Sequence, residues 1–158
     1  MSHNYLIVVG VDGSDGGRRA LDWAVREAAS RGGAVQAVIA WSVDDIAPRP
    51  LVTTSPTAER DRAAAILDEE ISGVVQRHRS RLPVAGEVVE GSPAEALTAA
   101  ASAADLLVLG SHGHSRVRHT VLGSVSDACI RRANCPVVVL PVPVSTPPAP
   151  AEPALRGR

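Results

Sequence analysis

Residues 5–31 read YLIVVGVDGSDGGRRALDWAVREAASR, and the change of period inside this stretch decides the fold. Residues 5–11 form an almost unbroken apolar run, the pattern of a central strand in a parallel sheet. Asp12, Gly13 and Ser14 break it. From residue 14 onward Leu21, Ala24, Val25 and Ala28 follow i, i+3, i+4 and i+7, the stripe of a helix with one buried face. Gly32 and Gly33 can end that helix, because glycine adopts positive φ without steric cost.

The same alternation recurs along the chain. Residues 34–41 (AVQAVIAW) predict a second strand, and residues 57–78 a helix with the stripe Ala64, Leu67, Ile71, Val74 and Val75. Residues 83–90 predict a third strand. Ser92 as N-cap and Pro93 at the first helical position then open a helix carrying Ala94, Leu97, Ala101 and Ala104 on one face. Residues 105–110 (DLLVLG) and 136–140 (PVVVL) predict the fourth and fifth strands, with a helix over 124–133 between them. The expected architecture is α/β, three layers, with a five-stranded and mostly parallel sheet in the order 3-2-1-4-5. Residues 1–141 make one domain. Residues 142–158, rich in Pro and Ala with no apolar period, read as a disordered tail. The Pro-containing connection over 42–55 is long enough for a binding loop or a disordered one, and its Asp44 and Asp45 read as solvated charge.

Composition narrows the function. The chain has 158 residues, 45% of them hydrophobic, with no Phe, enough for one core. All 16 basic residues are Arg, and the formal charge is −1, which gives no basic face for nucleic acid. No signal segment and no run of membrane-spanning length stands out, so a cytoplasmic location is expected. Cys129 and Cys135 are too few for a disulfide framework and read as a reduced, buried pair.

Open α/β sheets bind ligands beyond the carboxyl ends of their strands, where the strand order reverses. For the order 3-2-1-4-5 that point brings Gly10, Val11, Asp12, Gly13 and Ser14 together with Gly110, Ser111, His112 and Gly113. After nine intervening residues come Gly123, Ser124, Val125 and Ser126 at the start of a helix. Glycines let backbone approach an anion closely, and helix-start N–H groups carry partial positive charge. Ser124 and Ser126 add hydroxyl donors, while Arg116 and Arg118 can neutralise phosphate from the intervening loop. The spacing is also compatible with ordinary turn punctuation, and Asp12 with a turn or capping role.

The spacing Gly-x2-Gly-x9-Gly-Ser, formed by Gly110, Gly113, Gly123 and Ser124, resembles the signature of ATP-binding universal stress proteins. The blocks IVVGVDGSDGGRRALDWAVREA, VEGSPAEAL, DLLVLGSHG and LGSVSDACIRRANCPVVVL resemble that family in the same order over residues 5–141. The resemblance implies a Rossmann-like fold that binds ATP, ADP or AMP. It implies that Asp12 contacts the adenosine part and that the backbone near Ala40 borders adenine. Gly110, Ser111, His112, Gly113, His114, Ser115 and Arg116, with Gly123, Ser124 and Val125, would hold ribose and phosphates. It further implies a homodimer paired through the last strand, Val137 to Leu140. His112 and His114 stand where similar proteins often carry Arg or Lys, and Ser115 where Gly is frequent.

Rival chemistries fit less well. A Walker loop needs a Lys that the chain lacks, and no Gly-x-Gly-x-x-Gly follows the first strand. No Ser-His-Asp set is recognisable, and no catalytic residue is assigned. His112, His114 and His119 lack the further fixed ligands of a zinc site, so no protein metal site is expected. Mg2+ or Mn2+ carried by nucleotide phosphates suits the site better. The expected function is a nucleotide-dependent regulatory module. Its alternatives are a slow ATP-hydrolysing enzyme using the same pocket and a dimeric interaction module without nucleotide.

Overall fold

A computed structural model describes residues 4–43, 55–113 and 122–143. Five strands alternate with four α-helices: β1 (Leu6–Gly10), α1 (Asp15–Arg31), β2 (Ala34–Trp41), α2 (Pro56–His78), β3 (Val84–Glu90), α3 (Pro93–Ala100), β4 (Leu106–Gly110), α4 (Ser124–Arg132) and β5 (Val137–Leu140). The sheet order is β3-β2-β1-β4-β5, as expected, and every pairing is parallel. The register sets Val8 against both Gln36 and Leu107, so β1 is central. The long apolar run of residues 5–11 thus has the environment that its composition requires: Ile7, Val8 and Val9 are fully buried.

Side chains alternate across the sheet with a period of two. Ile7, Val9, Val35, Ala37, Ile39 and Val108 share one core with Leu21, Ala24, Val25 and Ala28 of α1 and Leu67 and Val74 of α2. Val8, Val38, Leu107 and Leu109 share the other with Ala94 and Leu97 of α3, Ala101, and Cys129 of α4. The small residues of α3 let it lie close to the sheet without a large aromatic in either core.

The helix ends follow their local chemistry. Ser14 caps α1 by accepting from the Gly17 N–H at 3.1 Å, and Gly32 closes it in the left-handed region at φ 64°. Ser55 and Ser92 cap α2 and α3, each followed by Pro at the start of the helix. Arg79, at φ 46°, takes the left-handed cap of α2 that glycine usually fills.

Three details differ from the sequence expectation. The buried face of α2 passes through Ala63 rather than Ala64, and it includes Glu70. Periodicity misses Glu70 because its burial depends on a partner from another helix: Arg18 Nε donates to its Oε1 at 2.8 Å. The third helix stops at Ala100 and finishes as a 3-10 turn over Ala101–Ala103, which returns the chain to β4. Cys129 is buried but Cys135 is only half-buried. Both thiols are free, and burial pushes both up from the ordinary thiol value. The expected loop over residues 44–54 and the tail from residue 144 lie outside the described residues. Among the described residues no helix is long and apolar enough to cross a membrane.

Candidate functional site

Parallel pairing places the carboxyl ends of all five strands on one side of the sheet, and the order reverses between β1 and β4. Here the turn after β1 meets the turn after β4. The Val11 N–H donates to the Val38 carbonyl at 2.9 Å, and the Ser111 N–H donates to Leu140 at 2.9 Å, so both exits continue their strands before turning away. Glycine makes the meeting possible. A Cβ on Gly110 would lie 2.8 Å from the backbone of Gly16 in the first turn of α1. A Cβ on Gly113 would run into the Asp12 carboxylate.

The resulting cleft has a volume of about 250 Å3. One wall is apolar: Val38 and Ala40 from β2, Pro93 and Leu97 from α3, and Leu109 from β4. The other end is polar. The Gly123 N–H donates to the Ser111 carbonyl at 2.8 Å, which fixes the start of α4 against the exit of β4. Gly123 is the N-cap of α4 and brings no side chain to cap it. The positive end of the α4 dipole and its first N–H groups therefore meet the cleft without an internal side-chain acceptor. That is the electrostatic requirement of an anion site at a helix start.

The polar side chains around this point are mutually braced. Asp12 Oδ1 accepts from the Ser14 N–H at 3.0 Å and from the Ser14 hydroxyl, whose oxygen in turn accepts from Gly17. Asp12 thus has the turn role and lines the cleft as well. Ser111 Oγ lies 3.1 Å from His112 Nδ1, while the buried Nε2 of His112 has no hydrogen-bond partner among the described residues. Ser126 is buried and donates its hydroxyl proton to the Gly110 carbonyl at 2.8 Å, which ties α4 to β4.

Gly10, Val11, Asp12, Ala40, Gly110, Ser111, His112, Gly113, Gly123, Ser124, Val125 and Ser126 all line this one cleft. His114, Ser115 and Arg116 lie outside the described residues. Ser14, at the end of the first predicted segment, lines the cleft too, whereas sequence reasoning did not single out Gly17, Val38, Pro93, Leu97 and Leu109 as lining residues. Pro93 and Leu97 carried a usable signal: they stand four residues apart at the start of a helix that follows a strand, and in a parallel sheet every such helix begins at the ligand end. The described lining holds one carboxylate, Asp12, and no arginine. Among the described residues no group of three or more His, Cys, Asp or Glu side chains could hold a metal ion. The arrangement can accept a flat apolar group on one side and an anion on the other.

Known proteins share this fold. A universal stress protein of Mycobacterium tuberculosis H37Rv is 36% identical over 133 residues, which is 84% of this chain and 44% of the relative. A Mycobacterium bovis universal stress protein matches to the same extent. The chain therefore spans less than half the length of these curated relatives. The crystal structure of a universal stress protein in complex with cAMP is 30% identical and has a TM-score of 0.65, covering 88% of this chain and 98% of that one. A universal stress protein family structure from Burkholderia pseudomallei is 27% identical with a TM-score of 0.65, over 90% of this chain and 99% of that one. The profile described as Universal stress protein family matches residues 6–141, the whole span from β1 to the end of the sheet, and the chain belongs to that family.

Proposed function

We propose that the cleft between β1 and β4 binds an adenine nucleotide, as ATP, ADP or AMP, and that the protein works as a nucleotide-dependent regulatory module of the stress response in the cytoplasm. The observation that carries this reading is the junction itself. Two glycine turns and the α4 start, which lacks a side-chain cap, close on an apolar slot formed by Val38, Ala40, Pro93, Leu97 and Leu109. The slot matches a purine face, and the helix start matches phosphate. The cAMP complex of a relative at 30% identity supports an adenine ligand. Mg2+ or Mn2+ enters, on this reading, with the phosphates rather than through a protein cage.

The module acts as a homodimer through β5. This edge strand pairs with β4 on one side only, and its four residues Val137–Leu140 are half-buried. Val142 beyond it and Ile130 on α4 are about half exposed. An apolar strand edge of this kind invites pairing. Rapid phosphoryl transfer depends on positioned cations; on this reading the module binds its nucleotide, and slow hydrolysis of ATP in the same pocket is the alternative.

The test is a calorimetric titration of nucleotide-stripped protein with ATP, with and without Mg2+, beside Gly123→Asp. Saturable binding to the wild type and its loss in the folded variant are expected, because the aspartate puts a negative charge at the α4 start. Absence of binding to the stripped, folded wild type overturns the nucleotide reading in favour of a dimeric interaction module. ADP formed over many turnovers overturns the regulatory reading in favour of an ATPase.

A further inference from the structure

A second concavity lies apart from the cleft between β1 and β4. A shallow groove of about 430 Å3 lies on the α1 and α2 side of the sheet, lined by Arg18, Arg19, Asp22 and Arg26 of α1, Arg77 of α2, and Leu140 and Pro141. Its volume falls in the range of small-molecule sites, roughly 300–1,000 Å3.

Its charge is arranged on purpose-built spacing. Arg19, Asp22 and Arg26 stand at i, i+3 and i+7, one stripe of α1, and Arg77 joins them from the last turn of α2. Four guanidiniums thus line a groove whose lining contains one carboxylate. Arg18 is already engaged by Glu70, Asp15 and the Gly13 carbonyl. The other three are less fully engaged. Arg26 and Arg77 each reach Asp22 through a single contact, at 3.3 and 3.6 Å, with half or more of each side chain exposed. A guanidinium has five donors, so most of theirs remain for another acceptor. Arg19 adds a fourth guanidinium to the lining, and among the described residues its buried Nε has no hydrogen-bond partner. Asp22 is shared among Arg26, Arg77 and His78, whose Nε2 lies 2.7 Å from its Oδ1, so the single carboxylate of the lining is divided over three donors.

We propose that this groove is a second ligand site, for a small anion carrying two or more phosphoryl groups. Guanidinium forks match phosphate oxygens in pairs, and the aliphatic stems with Leu140 and Pro141 give the groove an apolar floor. It is separate from the nucleotide cleft, which opens on the α3 and α4 side. The first turn of α1 stands between them, with Gly17 lining one and Arg18 the other. The proposal does not depend on the nucleotide reading.

The experiment is a calorimetric titration of the full chain with inorganic tripolyphosphate. Saturable binding to the wild type is expected, weakened at least about tenfold in Arg19→Gln/Arg77→Gln, which removes two of the four guanidiniums that face the anion. Gly123→Asp is expected to keep the binding component that the arginine variants lose, whether or not the wild type also takes tripolyphosphate at the α4 start, which keeps the two sites distinguishable. Thermal melts confirm folding. Should the double variant not fold, Arg26→Gln, on an exposed side chain, decides, with an expected several-fold loss. The proposal is overturned by absence of saturable binding to the wild type, by unchanged binding in the folded arginine variants, or by loss confined to Gly123→Asp. It is equally overturned if the arginine variants shift only the sedimentation coefficient, because the groove's occupant is then a second copy of the chain.

Discussion

Ser14 joins two structures that a single hydroxyl rarely serves together. It accepts from Gly17 as the cap of α1 and donates to Asp12 in the turn that enters the cleft. Ser14→Ala removes both, and the expected loss is about 1 kcal/mol of stability, read from the midpoint of urea unfolding. An unchanged midpoint would show that the capping bond contributes nothing. Asp22 makes a second residue-scale case. Burial disfavours its carboxylate, yet the hydrogen bond and charge of His78, together with Arg26 and Arg77, outweigh burial and hold it below the ordinary carboxylate range. A lowered folded value means that the ionised form stabilises the fold at any pH above the unfolded value, 3.8, and that this contribution is lost as pH falls through the folded value below it. Asp22→Asn should therefore cost on the order of 1 kcal/mol at neutral pH. The gap to the wild type should close only below pH 3.8; a gap constant from neutral pH to pH 3 would contradict this assignment.

Edge strand β5 sets the behaviour of a whole element. The Leu107 N–H bonds to Pro136 and the Ser111 N–H to Leu140, so in a parallel ladder residues 136, 138 and 140 turn inward to β4. Val137 and Val139 then direct their backbone groups to the open edge. Val139→Pro removes an outward N–H and spares the β4 ladder. The proposed dimer predicts a shift from dimer to monomer in sedimentation, with the far-ultraviolet circular dichroism unchanged. A folded variant with the sedimentation of the wild type would rule out pairing along this edge. The helices show the other side of element-scale reading. α1 was legible because its stripe and both caps are local, within residues 14–32. The face of α2 was read one position off at Ala64, and it missed Glu70, whose partner Arg18 lies on a different helix.

At the scale of the molecule, a ligand that binds only the folded chain must raise its stability by mass action. ATP at a hundredfold excess over its Kd should contribute about 2.7 kcal/mol and raise Tm by several degrees for a domain of this size; a Tm that does not move with ATP concentration would speak against the cleft as a nucleotide site. The sequence by itself determined the order of strands and helices, the parallel sheet and the glycine positions, because these depend on period, capping and φ over short spans. The two glycine-marked strand ends and the helix start after them were placed at one cleft as well, since strand ends in a parallel sheet converge whatever the details of packing, while Ala40 came only from the family resemblance. Only the tertiary structure decided the apolar wall of Val38, Pro93, Leu97 and Leu109, the engagement of the Ser126 hydroxyl by Gly110, and the arginine groove. Each of these joins residues far apart in the chain, from elements whose own patterns are satisfied without reference to one another. Their chemistry exists only once the packed layers fix which side chains share a space.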